Sequence, residues 1–484
     1  MVYKILFGRY NEKKIQLVGD TMLSLLLMFT ILFYLFSILF SQLHMDFLLS
    51  GICLTIVIVT FFTAKRFVKL LGGLFIVTGV YLLWTSHATN KDYVLSFGPM
   101  LELLVLFGLV PILAFPIKLG KYSDDIQDII HQNIKKSKYL YMMTSSIAYF
   151  LSIFMNVATL PMTYYAIRPV VSIYPVQNEE RFMSRAITHG FAMPLMWSPI
   201  TPIVGVVISM TGVSWISILP YALPLSLLGI ALDWYLGSKR ARKTAGIQND
   251  LYHPSVDETA VTMEGTSTIR FPFRILHIVL AIFLFNIVII TFDHFTNFSF
   301  LTLVSLLVIP FSFGWALLLK KGTEYMLLFK DYVKSFSTKM KDQFFIYLSA
   351  GFFISAIQLS KANITLNEWI FHMKDALGLE VFFFILPLIP IILAFIGLHP
   401  AVTLSLMAGA LNPDLIGISP IILTILMLMG AVSAFLVGPY NTTIGLMSSI
   451  VKESTFKVSH WNMKFTLSYL LLGFVYVFMV RIIF

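Results

Sequence analysis

Two apolar segments of this chain, each long enough to cross a bilayer, are interrupted in the same way. Residues 183–213 break at Ser198-Pro199-Ile200-Thr201-Pro202, and residues 419–450 break at Gly438-Pro439-Tyr440-Asn441-Thr442-Thr443. Proline and clustered Ser, Thr and Asn free backbone groups that lipid cannot satisfy, so such breaks persist only inside protein or along a wet cavity. Paired interruptions in corresponding positions of two halves point to a transporter's substrate site. Composition agrees with a membrane setting: 58% of the 484 residues are hydrophobic and 12% charged, against about 25% charged in soluble domains. The first apolar run, 22–40, is too long for a signal peptide, lacks a small-residue cleavage site and is followed by many more. The single cysteine, Cys53, leaves no pair for an intrachain disulfide.

Spans are expected near 20–41, 46–64, 70–86, 94–117, 183–213, 216–237, 275–293, 298–319, 344–360, 419–450 and 464–484. Two further apolar segments, 139–175 and 381–411, are interrupted at Asn156-Val157-Ala158-Thr159-Leu160-Pro161 and Gly397-Leu398-His399-Pro400. Each fits either one irregular span or a re-entrant hairpin, and loop charge decides between them. With Lys4, Arg9, Lys13 and Lys14 in the cytoplasm and both segments as hairpins, the 34 basic residues lie inside except Lys91, Arg168, Lys361, Lys374 and Arg481. Treating only the first as a span would put the basic run at 239–243 outside. The net charge of +10 therefore reads as cytoplasmic loops facing an anionic leaflet, not as a nucleic-acid surface.

This all-α, polytopic arrangement has about 11 transmembrane helices and two re-entrant hairpins, and it repeats itself. After an N-terminal segment and first helix (1–45), residues 46–237 read as three spans, a hairpin, a broken span and a span. Residues 275–484 read the same from the opposite side, and 238–274, with His253 to Glu258, is a polar cytoplasmic linker. Asn156 to Ser198 and His399 to Asn441 are each 42 residues apart. Two inverted-topology repeats of this kind build a pseudo-two-fold site near the bilayer midplane.

One leading span plus two inverted repeats, each with a hairpin and a broken helix, resembles the ion transporter superfamily, with its divalent-anion/sodium symporters and citrate and arsenite carriers. The resemblance covers 46–484 at the level of architecture. In motifs, the first tip keeps Asn156 and Thr159 with an insertion, the second keeps only Thr403, and the loops Ser198 to Pro202 and Pro439 to Thr443 look like the family pattern. His399 departs from it. The resemblance implies an elevator-type secondary transporter, in which a hairpin-bearing domain slides against a scaffold of roughly 46–117 and 275–360 that also mediates a homodimer.

The residues suggest how such a site works. Half-helix N-termini attract anions, and unwound carbonyls suit a small cation such as Na+. Asn156, Thr159, Ser198, Thr201, Thr403, Asn441, Thr442 and Thr443 supply neutral hydrogen-bonding groups that can hold a carboxylate; small hydroxylated residues also pack membrane helices together. His399 on the second tip fits a titrating group coupling H+ to transport, or a structural hydrogen bond. Arg185 and His189 read as a cytoplasmic funnel for anions or as interfacial snorkelling. Glu102 lies inside its span as a coupling group or scaffold contact, and Asp233 sits near enough to a span end to be solvated. No phosphate loop indicates ATP-driven pumping, and no two histidines have helical metal-ligand spacing. The reading is a secondary transporter of a small organic anion, multi-pass in a bacterial plasma membrane, without a bound cofactor and coupled to Na+ or H+. The competing readings are a membrane-embedded enzyme or an assembly factor for lipid-linked cell-envelope substrates.

Overall fold

The computed structural model describes residues 2–120, 137–171, 174, 176–249, 273–411 and 417–482. Lys121, Lys135, Lys136, Arg270 and the 253–258 stretch of the linker lie outside them. Among the described residues there are helices and no strand. The first part holds α1 (Val2–Leu39), α2 (Asp46–Thr63), α3 (Arg66–Thr85), α4 (Asn90–Leu95), α5 (Leu101–Leu109), α6 (Ala114–Leu119), α7 (Ser137–Met155) and α8 (Thr159–Val171). There follow α9 (Glu179–Ala192), α10 (Pro202–Thr211), α11 (Trp215–Asn249), α12 (Phe273–Phe295), α13 (Phe300–Leu318), α14 (Gly322–Lys334) and α15 (Phe336–Leu359). The chain ends with α16 (Ala362–Leu377), α17 (Leu379–Ile396), α18 (Pro400–Ala410), α19 (Pro420–Val437), α20 (Thr442–Val451) and α21 (Thr455–Arg481).

Eleven helical stretches among the described residues are long and apolar enough to cross a membrane. They differ from expectation in four places. Segments 139–175 and 381–411 contribute such stretches themselves (Ser137–Val171 and Leu379–Ile396), whereas 183–213 is cut into helices too short to count and 275–293 contributes only the shorter apolar stretch Leu280–Phe295. A straight helix of the 35 residues in Ser137–Val171 would be about 52 Å long, well beyond a hydrocarbon core of roughly 30 Å. The chain bends instead at Asn156, and α7 and α8 pack on one another. Helix α11 also runs on to Asn249, past the span end expected at 237.

The chain divides into two compact units. The first comprises Met1–Leu119, Phe298–Ala376 and Ser405–Ile416. Its centre is α15, packed on α1, α2 and α3. Close approach to α3 needs glycine: a Cβ on Gly79 would sit 2.7 Å from a ring carbon of Phe352, and one on Gly72 would strike Phe345. Tyr332 donates to the Gly108 carbonyl (2.7 Å) and Ser312 to that of Ile112 (2.8 Å), satisfying backbone where the chain tightens around Pro111.

The second unit comprises Gly120–Asn297, Leu377–Leu404 and Gly417–Phe484. It contains both tips and both breaks, and it includes α12, whose sequence was expected in the scaffold. Its axis is α19, apolar all round, which is the signature of a helix surrounded by protein. Every residue from Ile422 to Val437 is buried, under α9, α10, α11, α17 and α21. Helices α17 and α19 touch at Gly430, where a Cβ would lie 2.6 Å from the Pro387 carbonyl oxygen. Helices α7 and α9 touch at Gly190, where a Cβ would strike the Ser145 carbonyl.

Candidate functional site at the helix breaks

At the second break, α19 ends at Val437 and α20 begins at Thr442. A helix end leaves four carbonyls without intrahelical partners, and here side chains take them all. Asn441 donates both amide hydrogens backward, to Ala434 O (2.8 Å) and Phe435 O (3.1 Å). Its Oδ1 meanwhile accepts from the Ile444 N–H at 2.8 Å and caps α20. Asn462 on α21 donates to Leu436 O at 2.9 Å, and the Ser459 hydroxyl donates to Val437 O. The C-terminal half-helix thus presents no spare carbonyl for a cation, and Asn441, expected as a solute contact, spends its amide hydrogens on backbone.

The first break is held by a relay of donors. Trp197 Nε1 donates to the Tyr149 hydroxyl (3.0 Å), which lies 3.0 Å from Ser226 Oγ, and Ser226 donates to Met193 O (2.8 Å). Because Ser226 spends its proton on Met193, Tyr149 is the donor to Ser226. Trp215 Nε1 closes the far side by donating to Trp197 O at 2.9 Å. Pro202 opens α10, where a missing N–H is tolerated.

The two tips owe their residue types to backbone. Asn156 has φ +47°, a left-handed conformation that asparagine tolerates better than most residues. Gly397, at φ +106°, ends α17, and His399 accepts the Ala401 N–H on Nδ1 (3.2 Å) at the start of α18. The His399 ring also meets Phe435 edge-on at 5.4 Å. A structural hydrogen bond is therefore present at His399.

The remaining expected site residues sort by burial. Thr201 is buried at the N-cap of α10, and Thr442 is exposed. Thr159, Ser198, Thr403 and Thr443 are fully buried, and their hydroxyls meet no hydrogen-bonding partner among the described residues. Thr163, Ser184 and Ser433 share that condition, and these seven belong to the second unit, against one such hydroxyl, that of Tyr325, in the first. Buried polar groups are nearly always satisfied, so a concentration of orphaned hydroxyls marks a place built for something other than packing. Helix α20, which carries Thr443, packs on α8, which starts at Thr159, and on α9.

A third feature joins the elements leading to both breaks. Asp233 on α11, read from sequence as solvated, is 1% exposed, and His189 on α9, read as part of a funnel, is 0% exposed. The reason is mutual: His189 Nδ1 lies 2.7 Å from Asp233 Oδ1. Tyr141 donates to Oδ1 and Ser145 to Oδ2, both at 2.7 Å. The other imidazole nitrogen, Nε2, lies 3.2 Å from Asn462 Oδ1, and Phe465 stacks on the ring at 4.0 Å. Asn462 thereby ties His189 to the Leu436 carbonyl at the second break. Arg185, one turn before His189, donates to Trp461 O at 2.8 Å.

Asn462, Ser459, Tyr141 and Ser145 were not singled out from sequence. The available signal was Asp233 itself, since a carboxylate inside a membrane span demands partners. Glu102 lies in the first unit, where it accepts from Thr302 (2.7 Å) and Ser299, so a scaffold contact is what the structure shows for it.

No protein-family model and no curated protein matches this sequence. Among solved structures, the chain is similar to the YdaH transporter of Alcanivorax borkumensis, described as having an unusual topology. The match covers 84% of this chain and 97% of that one, at 12% identity and a TM-score of 0.58. At that identity the likeness shows the fold alone, a polytopic bundle of helices.

Proposed function

We propose that the chain is a secondary transporter whose second unit carries a small organic anion, a carboxylate in the first instance, coupled to Na+ or H+. The observation that carries this reading is the concentration, in one unit, of both helix breaks and seven buried hydroxyls without protein partners. Thr159, Ser198, Thr403 and Thr443 hold the solute by neutral hydrogen bonds, with Thr201 and Thr442 beside them at the half-helix N-termini. Asn441, Asn156 and His399 shape the breaks and tips that position those hydroxyls. The likeness to a transporter fold favours this over a membrane-embedded enzyme or an assembly factor. The inverted repeats, the elevator motion and a homodimer formed through the first unit belong to the same proposal, as does a plasma-membrane location with the N-terminus inside.

Reconstitution into liposomes tests it. Labelled carboxylates are offered under sodium and proton gradients applied separately, and the reading expects at least one to accumulate under one gradient. Failure of the folded protein to move any of them, under either gradient or by exchange, would sink the carboxylate-carrier reading.

A further inference from the structure

We infer that His189 and Asp233 form a proton-binding site inside the second unit, and that its proton is the coupling ion. The inference rests on the carrier reading and adds the identity of the ion and its seat.

The argument starts from acceptors. His189 Nδ1 faces the Asp233 carboxylate at 2.7 Å and Nε2 faces Asn462 Oδ1 at 3.2 Å. In this arrangement the Asn462 amide presents its oxygen, not its nitrogen, to the ring. Its Nδ2 donates to Leu436 O at 2.9 Å, an acceptor that a flipped amide would meet with its oxygen; Oδ1 also lies 3.2 Å from the Thr188 hydroxyl, whose proton goes to Ser184 O at 2.7 Å. With an acceptor oxygen against each ring nitrogen, the arrangement is complete when both carry a hydrogen. The ring is then an imidazolium, stacked on Phe465 and paired with a carboxylate that also accepts from Tyr141 and Ser145. The pair is electrically neutral as a whole, which is the form a buried site tolerates.

The neighbouring helices isolate this proton. Helices α19 and α20 bring no ionisable side chain. On α8, Tyr164 donates to Glu180 (2.8 Å) and Arg168 pairs with Glu180 (3.3 Å). On α7, Tyr149 serves the first break. On α21, Tyr469 lies against Met196 sulphur, while Lys457, His460 and Lys464 are exposed. Arg185 on α9 lies one turn away and is bonded to Trp461 O.

Release of the proton has a structural consequence. The Nε2–H bond breaks, its electron pair stays on nitrogen, and the proton passes to water, leaving a neutral imidazole still donating from Nδ1 to Asp233. Nε2 then presents a lone pair to Asn462 Oδ1, and the contact turns repulsive. Relieving it rotates the Asn462 amide, which withdraws the donor from Leu436 O at the second break. Protonation and the shape of that break are thus linked through one asparagine.

Two measurements decide it. Histidine nitrogen NMR of the purified protein, assigned by loss of a signal in His189→Gln, should show His189 with both nitrogens protonated at neutral pH. A neutral ring in the wild type would overturn the proposal. In proteoliposomes, a gradient of one pH unit drives about tenfold accumulation per coupled proton. The double variant His189→Gln/Asp233→Asn should still exchange the carboxylate that the wild type moves, while proton-driven accumulation collapses to about onefold. Undiminished accumulation in the double variant, or wild-type uptake driven by sodium and indifferent to pH, would refute the coupling role. Should the double variant not fold, the NMR result and the wild-type ion dependence decide alone. Absence of exchange in the wild type is the separate signature of a failed carrier reading, and the coupling role falls with it.

Discussion

Asn441→Ala separates a residue that builds the break from one that touches solute. The alanine deletes the cap on the Ile444 N–H, a loss of about 1 kcal/mol in typical helices. It also strips donors from two carbonyls, but not equally. Ala434 O keeps the Gly438 N–H at 2.8 Å, whereas Phe435 O has no other donor among the described residues. An orphaned buried carbonyl costs about 1–3 kcal/mol, so the sum is roughly 2–4 kcal/mol. At about 2–4 °C per kcal/mol for a unit of this size, the melting temperature should fall by roughly 4–16 °C. Thermal unfolding of detergent-solubilised protein, followed by size-exclusion chromatography, reads this directly. Asn441→Asp keeps the cap acceptor yet turns a carboxylate toward Ala434 O and Phe435 O, so it should be at least as unstable. Thr442→Ala, one residue on and exposed, should melt like the wild type. An Asn441→Ala protein that melts within a degree or two of wild type would refute the reasoning and return Asn441 to the solute.

Other outcomes follow from contacts already described. Gly430→Ala places a Cβ 2.6 Å from the Pro387 carbonyl and should lose about 1–3 kcal/mol by overpacking. Gly73→Ala, with nothing within 4 Å, should gain up to about 1 kcal/mol of helix propensity; both are read by thermal melts. Glu102→Gln keeps an acceptor for Thr302 and Ser299, so solute uptake should match wild type in the liposome assay. Asp92 is held below the usual carboxylate range chiefly by the Thr89 hydroxyl, with the Thr89 N–H adding to it. A depressed value means the charged cap stabilises α4 above the ordinary carboxylate range and is lost as pH falls through the lowered one. Protection of the 90–95 amides against exchange, corrected for the intrinsic rate at each pH, should accordingly fall only in acid, and unchanged protection there would contradict the capping role.

How much of this was legible in the sequence follows from the distance over which each feature is specified. Both breaks and both tips were readable because proline, glycine and clustered hydroxyls act locally on backbone, and the chain departs from helix at each. The hydroxyls at Thr159, Ser198, Thr403 and Thr443 were readable for the same reason. The His189–Asp233 pair was not, because its partners are far apart in sequence. His189 and Asp233 are 44 residues apart and Asn462 a further 229 residues on, and each looks ordinary beside its neighbours. Asp233 stood near a span end, which reads as solvated until the packing of α7, α9 and α11 covers it. Asn462 fell just before the span expected from 464, although α21 starts at Thr455. Asn441 and His399 were noticed for their polarity, but the groups that polarity serves belong to the backbone of their own turns.

The most direct test is the apparent affinity for whichever carboxylate the wild type transports, measured in Ser198→Ala and Thr443→Val beside the melting temperature of each. Their hydroxyls meet no protein partner, so removing them should leave the melt unchanged or raise it. The affinity should nonetheless weaken by about tenfold, one hydrogen bond's worth of solute recognition. Unchanged affinity in both variants, with the fold intact, would contradict a solute site at the two breaks.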